Sequence, residues 1–163
     1  MVLSDQELKD IILKAGALPQ DKLENLFVIA KSSGLSLSDV LVEKDIISDE
    51  NLGIIEANHF HVPYVNLSKL TIPDEVLKII PEKVARKQKI IAFAKDQDGL
   101  KIAMSDPTNL DAITAISKKV NARVISNYAT DRDLENVLRL YTKDLQKTLE
   151  EMGREEGASI EAE

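Results

Sequence analysis

The sequence predicts an α+β chain: a four-helix bundle built from a tandem repeat, followed by a small three-stranded α/β sandwich. Three observations predict it. Sliding Glu7–Ala30 forward by 29 positions lays it on Ser36–His59, so that Leu8 meets Leu37, Ile12 meets Leu41, Leu23 meets Leu52 and Leu26 meets Ile55. What repeats is an apolar spacing with helical period, the mark of two copies of one helix pair sharing a core that neither could build alone. Past Leu67 that spacing stops, and Lys89–Lys95 and Leu100–Met104 read as β-rich runs around Asp96-Gln97-Asp98-Gly99, a hairpin signal. A helical stretch from Leu110 and a third β-rich run, Arg123–Tyr128, then complete a strand–helix–strand unit with parallel strands.

Each element has a local cause. Ser4-Asp5-Gln6-Glu7 has the spacing of a capping box for the first helix, and Gly16 suits its left-handed stop. Pro19 fits the first turn of the next helix, whose face carries Leu23, Leu26, Phe27 and Ala30 up to Gly34. In the second copy Ser36 opens a short helix, and Ser48 caps a longer one with Asp49 and Glu50 near its positive end. Pro63 disfavours helical backbone at Val62, so the segment 62–67 reads as an extended connector. Pro73 opens a helix reaching Ile80, and Pro81 opens another to about Lys87. Asn109 and Thr130 are candidate caps for the last two helices, the final one carrying its apolar spacing through Tyr141 and Leu145 to Leu149 and Met152. The organisation expected is a helical repeat over 1–61, a connector over 62–67, an α/β unit over 68–145 and an acidic linker over 146–163.

Composition narrows the function. With 44% apolar and 30% charged residues in 163, the chain has the makeup of a globular protein with a genuine core. No run of about 18 apolar residues exists to span a membrane, and the N-terminus lacks a basic region followed by an apolar one, so a cytoplasmic location is expected. The absence of cysteine removes disulfides, zinc thiolates and thiol nucleophiles. The net charge of −7 speaks against a general nucleic-acid binder, which needs basic surface, and Lys143–Glu163 alone holds seven acidic against three basic residues.

No catalytic constellation is present. The six glycines never form a phosphate-cradling loop, and His59 and His61 stand two apart at a helix end, better suited to a surface or cap role than to a metal. Asp96-x-Asp98-Gly99 begins like a calcium loop but lacks the later ligands, so it reads as a hairpin turn. No metal and no cofactor are expected. Lys83, Arg86, Lys87 and Lys89 form the one basic cluster, a candidate docking patch against the alternative of a solvated helix face.

The residues Leu37–Leu67, then Ile80-Pro81-Glu82-Lys83-Val84-Ala85-Arg86, then Ala103-Met104-Ser105-Asp106-Pro107 and Ala129-Thr130-Asp131-Arg132-Asp133, carry a resemblance by their order and spacing. They resemble the N-terminal region of the hexameric ATPases of type II secretion and type IV pilus assembly. The resemblance implies a non-catalytic docking and regulatory domain that couples a motor to an inner-membrane platform or adaptor protein, peripheral to that membrane, with the ATPase motor domain elsewhere in the full protein.

A subset of the family uses the repeat to bind cyclic di-GMP, through a pattern of Arg-Leu-Gly, Leu-Val, a later Gly and a closing Gln. Here the matching positions are Glu7-Leu8-Lys9, Ile12-Leu13, Gly16 and Ala30, then Ser36-Leu37-Ser38, Leu41-Val42, Asp45 and His59. The resemblance thus implies Leu8, Ile12, Gly16, Leu37, Leu41 and Val42 as ligand-contacting positions if cyclic di-GMP binds. Both arginines and both glutamines, the groups that would pair with phosphate and guanine edges, are missing. The repeat is therefore expected to act as scaffold.

Overall fold

The computed structural model of the protein describes residues 3–141 and Gly153, and the expected acidic linker, Gly153 apart, lies outside these. Helices α1 (Asp5–Ala15), α2 (Gln20–Ser33), α3 (Leu37–Glu43) and α4 (Asp49–Phe60) come first. After a 3-10 turn at Leu67–Lys69 follow α5 (Asp74–Leu77), α6 (Glu82–Gln88), β1 (Ile90–Asp96), β2 (Gly99–Met104), α7 (Leu110–Val120) and β3 (Val124–Tyr128). A helix over 131–141, α8, closes the described part. The fold is α+β, as the sequence predicts.

The helical caps are those the sequence calls for. Glu7 and Ser4 exchange side-chain and backbone bonds, and Gly16 takes the left-handed geometry at φ 69°. Ser36 and Ser48 accept from the amides three residues on. The first copy also helps cap the second, since the Leu37 amide donates to Asp5 at 3.1 Å. Their shared core is Leu8, Ile12, Leu23, Leu37, Leu41 and Leu52, each almost wholly removed from water. No single helix among the described residues is long and apolar enough to cross a membrane.

The second core gathers around the sheet, in the order β1-β2-β3. β1 and β2 pair antiparallel with a register shift between Ala92 and Ala94 that leaves Phe93 as the extra residue of a bulge. β2 and β3 pair parallel, Leu100 opposite Val124 through Met104 opposite Tyr128. Gly99 is required where the hairpin enters β2: its φ is 138°, and a Cβ there would stand 2.3 Å from the Arg123 carbonyl oxygen.

Three local expectations shift. Pro19 stands just before α2 as its cap residue rather than inside the first turn. α5 stops at Leu77 instead of Ile80, because Pro81 pushes Ile80 out of helical geometry and Ile80 joins the core. Lys89 belongs to no strand; it ends α6 in the left-handed region at φ 52°.

The connector runs extended and makes one bridge onto the sheet. Val65 N–H donates to the Tyr128 carbonyl at 2.9 Å and Tyr128 N–H donates to Pro63 at 2.7 Å. This bridge holds the end of α4 against β3.

Candidate functional site

The structure puts most of the cyclic di-GMP positions inside the bundle. Leu8, Ile12, Leu37 and Leu41 are fully buried core side chains, and Val42 lies half-buried at the edge of the same cluster. Gly16 is exposed at the end of α1. These positions do not converge on one surface, because helical spacing turns four of them inward.

The basic cluster divides in two. Lys83 and Lys87 are exposed on α6. Arg86, by contrast, pairs with Glu82 at 2.9 Å and donates to the Leu138 carbonyl at 3.0 Å, tying α6 to α8. Lys89 faces Asp131 at 3.7 Å. His61 caps α4 in the left-handed region and His59 is exposed beside the Phe60 ring. Among the described residues no group of three or more acidic or histidine side chains is placed to hold a metal. The Asp96–Gly99 turn closes on itself, with the Asp98 amide donating to Asp96 at 2.8 Å.

The densest polar chemistry sits where the two cores meet. α4 brings Asp49, Gly53 and Glu56 to this junction, one helical face at spacings of four and three. Opposite stand Tyr128 at the end of β3 and Thr130, Asp131 and Arg132 at the start of α8. The Thr130 hydroxyl works twice: it accepts from the Asp133 amide at 3.2 Å, capping α8, and donates to Asp49 at 2.6 Å. Arg132 bridges both helices of the second copy, reaching Asp39 of α3, Ser38 at 3.2 Å and Asp49 of α4 at 3.3 Å. Asp133 turns the other way and accepts from the Leu67 amide at 2.6 Å, anchoring the connector. The Phe60 and Tyr128 rings stack with centroids 5.6 Å apart.

Glu56 is the exceptional member, only 2% exposed and accepting a hydrogen bond from the Tyr128 hydroxyl. Burial pushes its carboxyl up to about 7; the Tyr128 bond and Arg132 pull against that, while Asp49 and Asp131 add to it. The Tyr128 hydroxyl is raised too, first by burial and then by the Glu56 charge. Burial likewise raises Asp133, against the pull of the Leu67 amide. Beside these groups lies a cleft of about 290 Å³ between Ser36, Asp39, Glu56, Lys89, Arg132 and Glu135.

Sequence reasoning passes over this site because its bonds between units join residues 66 to 94 positions apart. One signal was present. Under the 29-residue shift Glu56 takes the place of Phe27, so a carboxyl stands where the first copy has an aromatic ring.

The family model for the MshEN domain matches residues 60–148, which is the connector and the α/β unit rather than the helical repeat. The type IV pilus assembly ATPase PilB of Thermus thermophilus is 25% identical over 134 residues, 81% of this chain but 15% of that protein. PilB of Myxococcus xanthus is 20% identical over 154 residues, 94% of this chain and 27% of that protein. The chain thus spans under a third of the length of these relatives. Among solved structures, that of MshE with cdg covers 82% of this chain and 97% of its own, at 25% identity and a TM-score of 0.58. The N-terminal domain of XpsE shares the fold, at a TM-score of 0.52 and 14% identity over 85% of this chain and 96% of that one. What the chain matches in fold in XpsE is that protein's N-terminal domain. The chain belongs to the MshEN domain family, homologous to the N-terminal regions of type IV pilus and type II secretion ATPases.

Proposed function

We propose that this chain is the docking and regulatory domain of a type IV pilus assembly or type II secretion ATPase, coupling that protein's motor to an inner-membrane platform or adaptor protein. The observation that carries the reading is the Arg132 clamp. One guanidinium at the start of α8 holds both helices of the second repeat copy, through Asp39 and Asp49. Displacement of the repeat by a bound partner is thereby transmitted to α8, and along it toward the residues that follow. The division into a repeat over 1–61, a connector over 62–67, an α/β unit over 68–145 and a linker over 146–163 serves this relay. The working location is cytoplasmic, peripheral at the inner membrane through the partner, and nucleic acid is not among the partners. Lys83 and Lys87 supply a basic patch for an acidic partner face.

The test is titration of the folded chain with the cytoplasmic domain of the cognate platform protein. Saturable binding weakened by the K83E/K87E double variant is expected; no binding at low salt overturns the reading.

A second reading, cyclic di-GMP sensing, is favoured by the likeness to the structure of MshE with cdg. Against it, the aliphatic side chains that the pattern would present are core residues, and Ser38 of the second copy's opening triplet is occupied by Arg132. Calorimetric titration of the folded chain with cyclic di-GMP decides; heat saturating at micromolar ligand would make the repeat a sensor.

A further inference from the structure

The junction between the two cores is acidic; Glu56 is its most sequestered carboxyl, and Asp133 at the start of α8, also buried, turns away to the Leu67 amide. On the helix of Glu56, Asp49 lies two turns back. α3 contributes Asp39, α8 contributes Asp131 and Glu135, and β3 faces it with the Tyr128 hydroxyl. The connector adds Tyr64, whose hydroxyl burial holds protonated. Against these carboxyls stand two cations, and both are engaged: Arg132 by Asp39 and Asp49, Lys89 by Asp131. Glu56 forms no ion pair among the described residues, and its hydrogen bond is to Tyr128. A buried carboxylate without a cation is held poorly, whereas the protonated acid suits the same site.

We propose that the junction is a proton-operated latch: the α/β unit seats on α4 while Glu56 is protonated, and ionisation of that carboxyl loosens the seat so that the two cores separate. The packing around Glu56 fits a seat that closes as one piece. Gly53, one turn earlier, lies so close to the Tyr64 ring and the Thr130 methyl that a Cβ would stand 2.4 Å and 2.9 Å from them. Stacked Phe60 and Tyr128 close the other side. The seat is thus a narrow surface with the Glu56 carboxyl and the Tyr128 hydroxyl inside it, rimmed by ion pairs that keep the units tethered when it opens. Burial places the carboxyl at about 7, so the latch answers to pH near neutrality. Protonated and ionised forms differ on the order of a few-hundred-fold in preference for the seated position. The inference does not depend on what docks on the repeat.

Because the chain has no cysteine, a pair of labels can be placed cleanly. Ser32 at the end of α2 and Gln97 at the tip of the β1–β2 hairpin are both exposed, one on each unit. Energy transfer or spin-label distances in S32C/Q97C are measured from pH 5.5 to 8.5, with circular dichroism at each pH. The expected result is one narrow distance at low pH and a second, longer population appearing as pH passes about 7. E56Q, which keeps an acceptor for Tyr128, stays at the single distance throughout. Y128F, which removes a bond favouring the ionised form in the seat, weakens the ionised seat and enlarges the longer-distance population at high pH. A folded parent chain with the same distances at both extremes overturns the proposal, as does E56Q responding like the parent. Should E56Q not fold, carboxyl carbon-13 titration of the unsubstituted protein decides: Glu56 titrating in the ordinary glutamate range overturns the latch, and titration near 7 in step with the Tyr128 ring signals supports it.

Discussion

At Gly53 the usual rule of helix propensity reverses sign. Alanine in place of glycine inside a helix ordinarily stabilises by about 1 kcal/mol, since it lowers the entropy of the unfolded chain. Here the added methyl would meet the Tyr64 ring at 2.4 Å, and overpacking of that kind costs roughly 1–3 kcal/mol. We expect G53A to lower stability by about 1–2 kcal/mol in urea denaturation, the clash outweighing the propensity gain. Tyr64 is only half-buried and the clashing atoms belong to its ring, so removing the ring should rescue. In the G53A/Y64A double variant the penalty relative to Y64A alone should shrink, leaving what the Thr130 methyl at 2.9 Å costs. An equal penalty in both backgrounds would place the cost at Thr130 instead. Gly53 in the sequence reads only as a glycine tolerated in a helix; the neighbour that makes it necessary arrives from outside the repeat.

Among the elements, those set by neighbours in sequence were legible. Ser4, Ser36, Ser48, Asn109 and Thr130 all cap the helices their spacing announced, because a cap needs only an amide two or three residues on. The parallel pairing of β2 with β3 followed from the intervening helix. Which helix face stays in water and which carries the next unit was not legible, since α2 and α4 share one apolar pattern. α4 is packed on β3, whereas Val28 of α2, which aligns with Ala57 under the 29-residue shift, is 63% exposed. The clamp that joins the units depends on Arg132, and its geometry separates it from a generic positive charge. A guanidinium can serve Asp39, Ser38 and Asp49 together; an ammonium on a flexible stem cannot hold that fork. These groups are about a third exposed, so the network is screened, and R132A should cost only about 1–2 kcal/mol. R132K should recover less than half of that. Raising salt to about 1 M should shrink the difference between the parent and R132A, which thermal unfolding at two ionic strengths would reveal.

For the molecule as a whole, Glu56 couples stability to pH, and the sign is fixed by the direction of its shift. The folded carboxyl sits at about 7, above its ordinary 4.5, so between those values the folded state holds a proton that the unfolded state has released. Stability from this group is complete below about pH 4.5, declines as pH rises and levels off above about 7; Asp133, also raised, acts in the same direction. If Glu56 must stay seated, the full linkage applies and stability should fall by about 3 kcal/mol between pH 4.5 and 8. If the seat opens instead, the ionised carboxyl reaches water, and the loss cannot exceed the free energy that held the two units together. The urea midpoint against pH therefore separates two molecules with one set of contacts. A continuous decline of the full size, abolished in E56Q, describes a rigid junction that bears the charge. A smaller decline that stops before pH 7, with the repeat and the α/β unit unfolding in separate steps beyond it, describes two cores seated on one another only while Glu56 keeps its proton. The separate cores of the structure, one around Leu8 and Leu41 and the other around Ile90 and Ile102, make the second course physically available, since each is closed without the other. We expect the two-step course above pH 7 and a single transition below it.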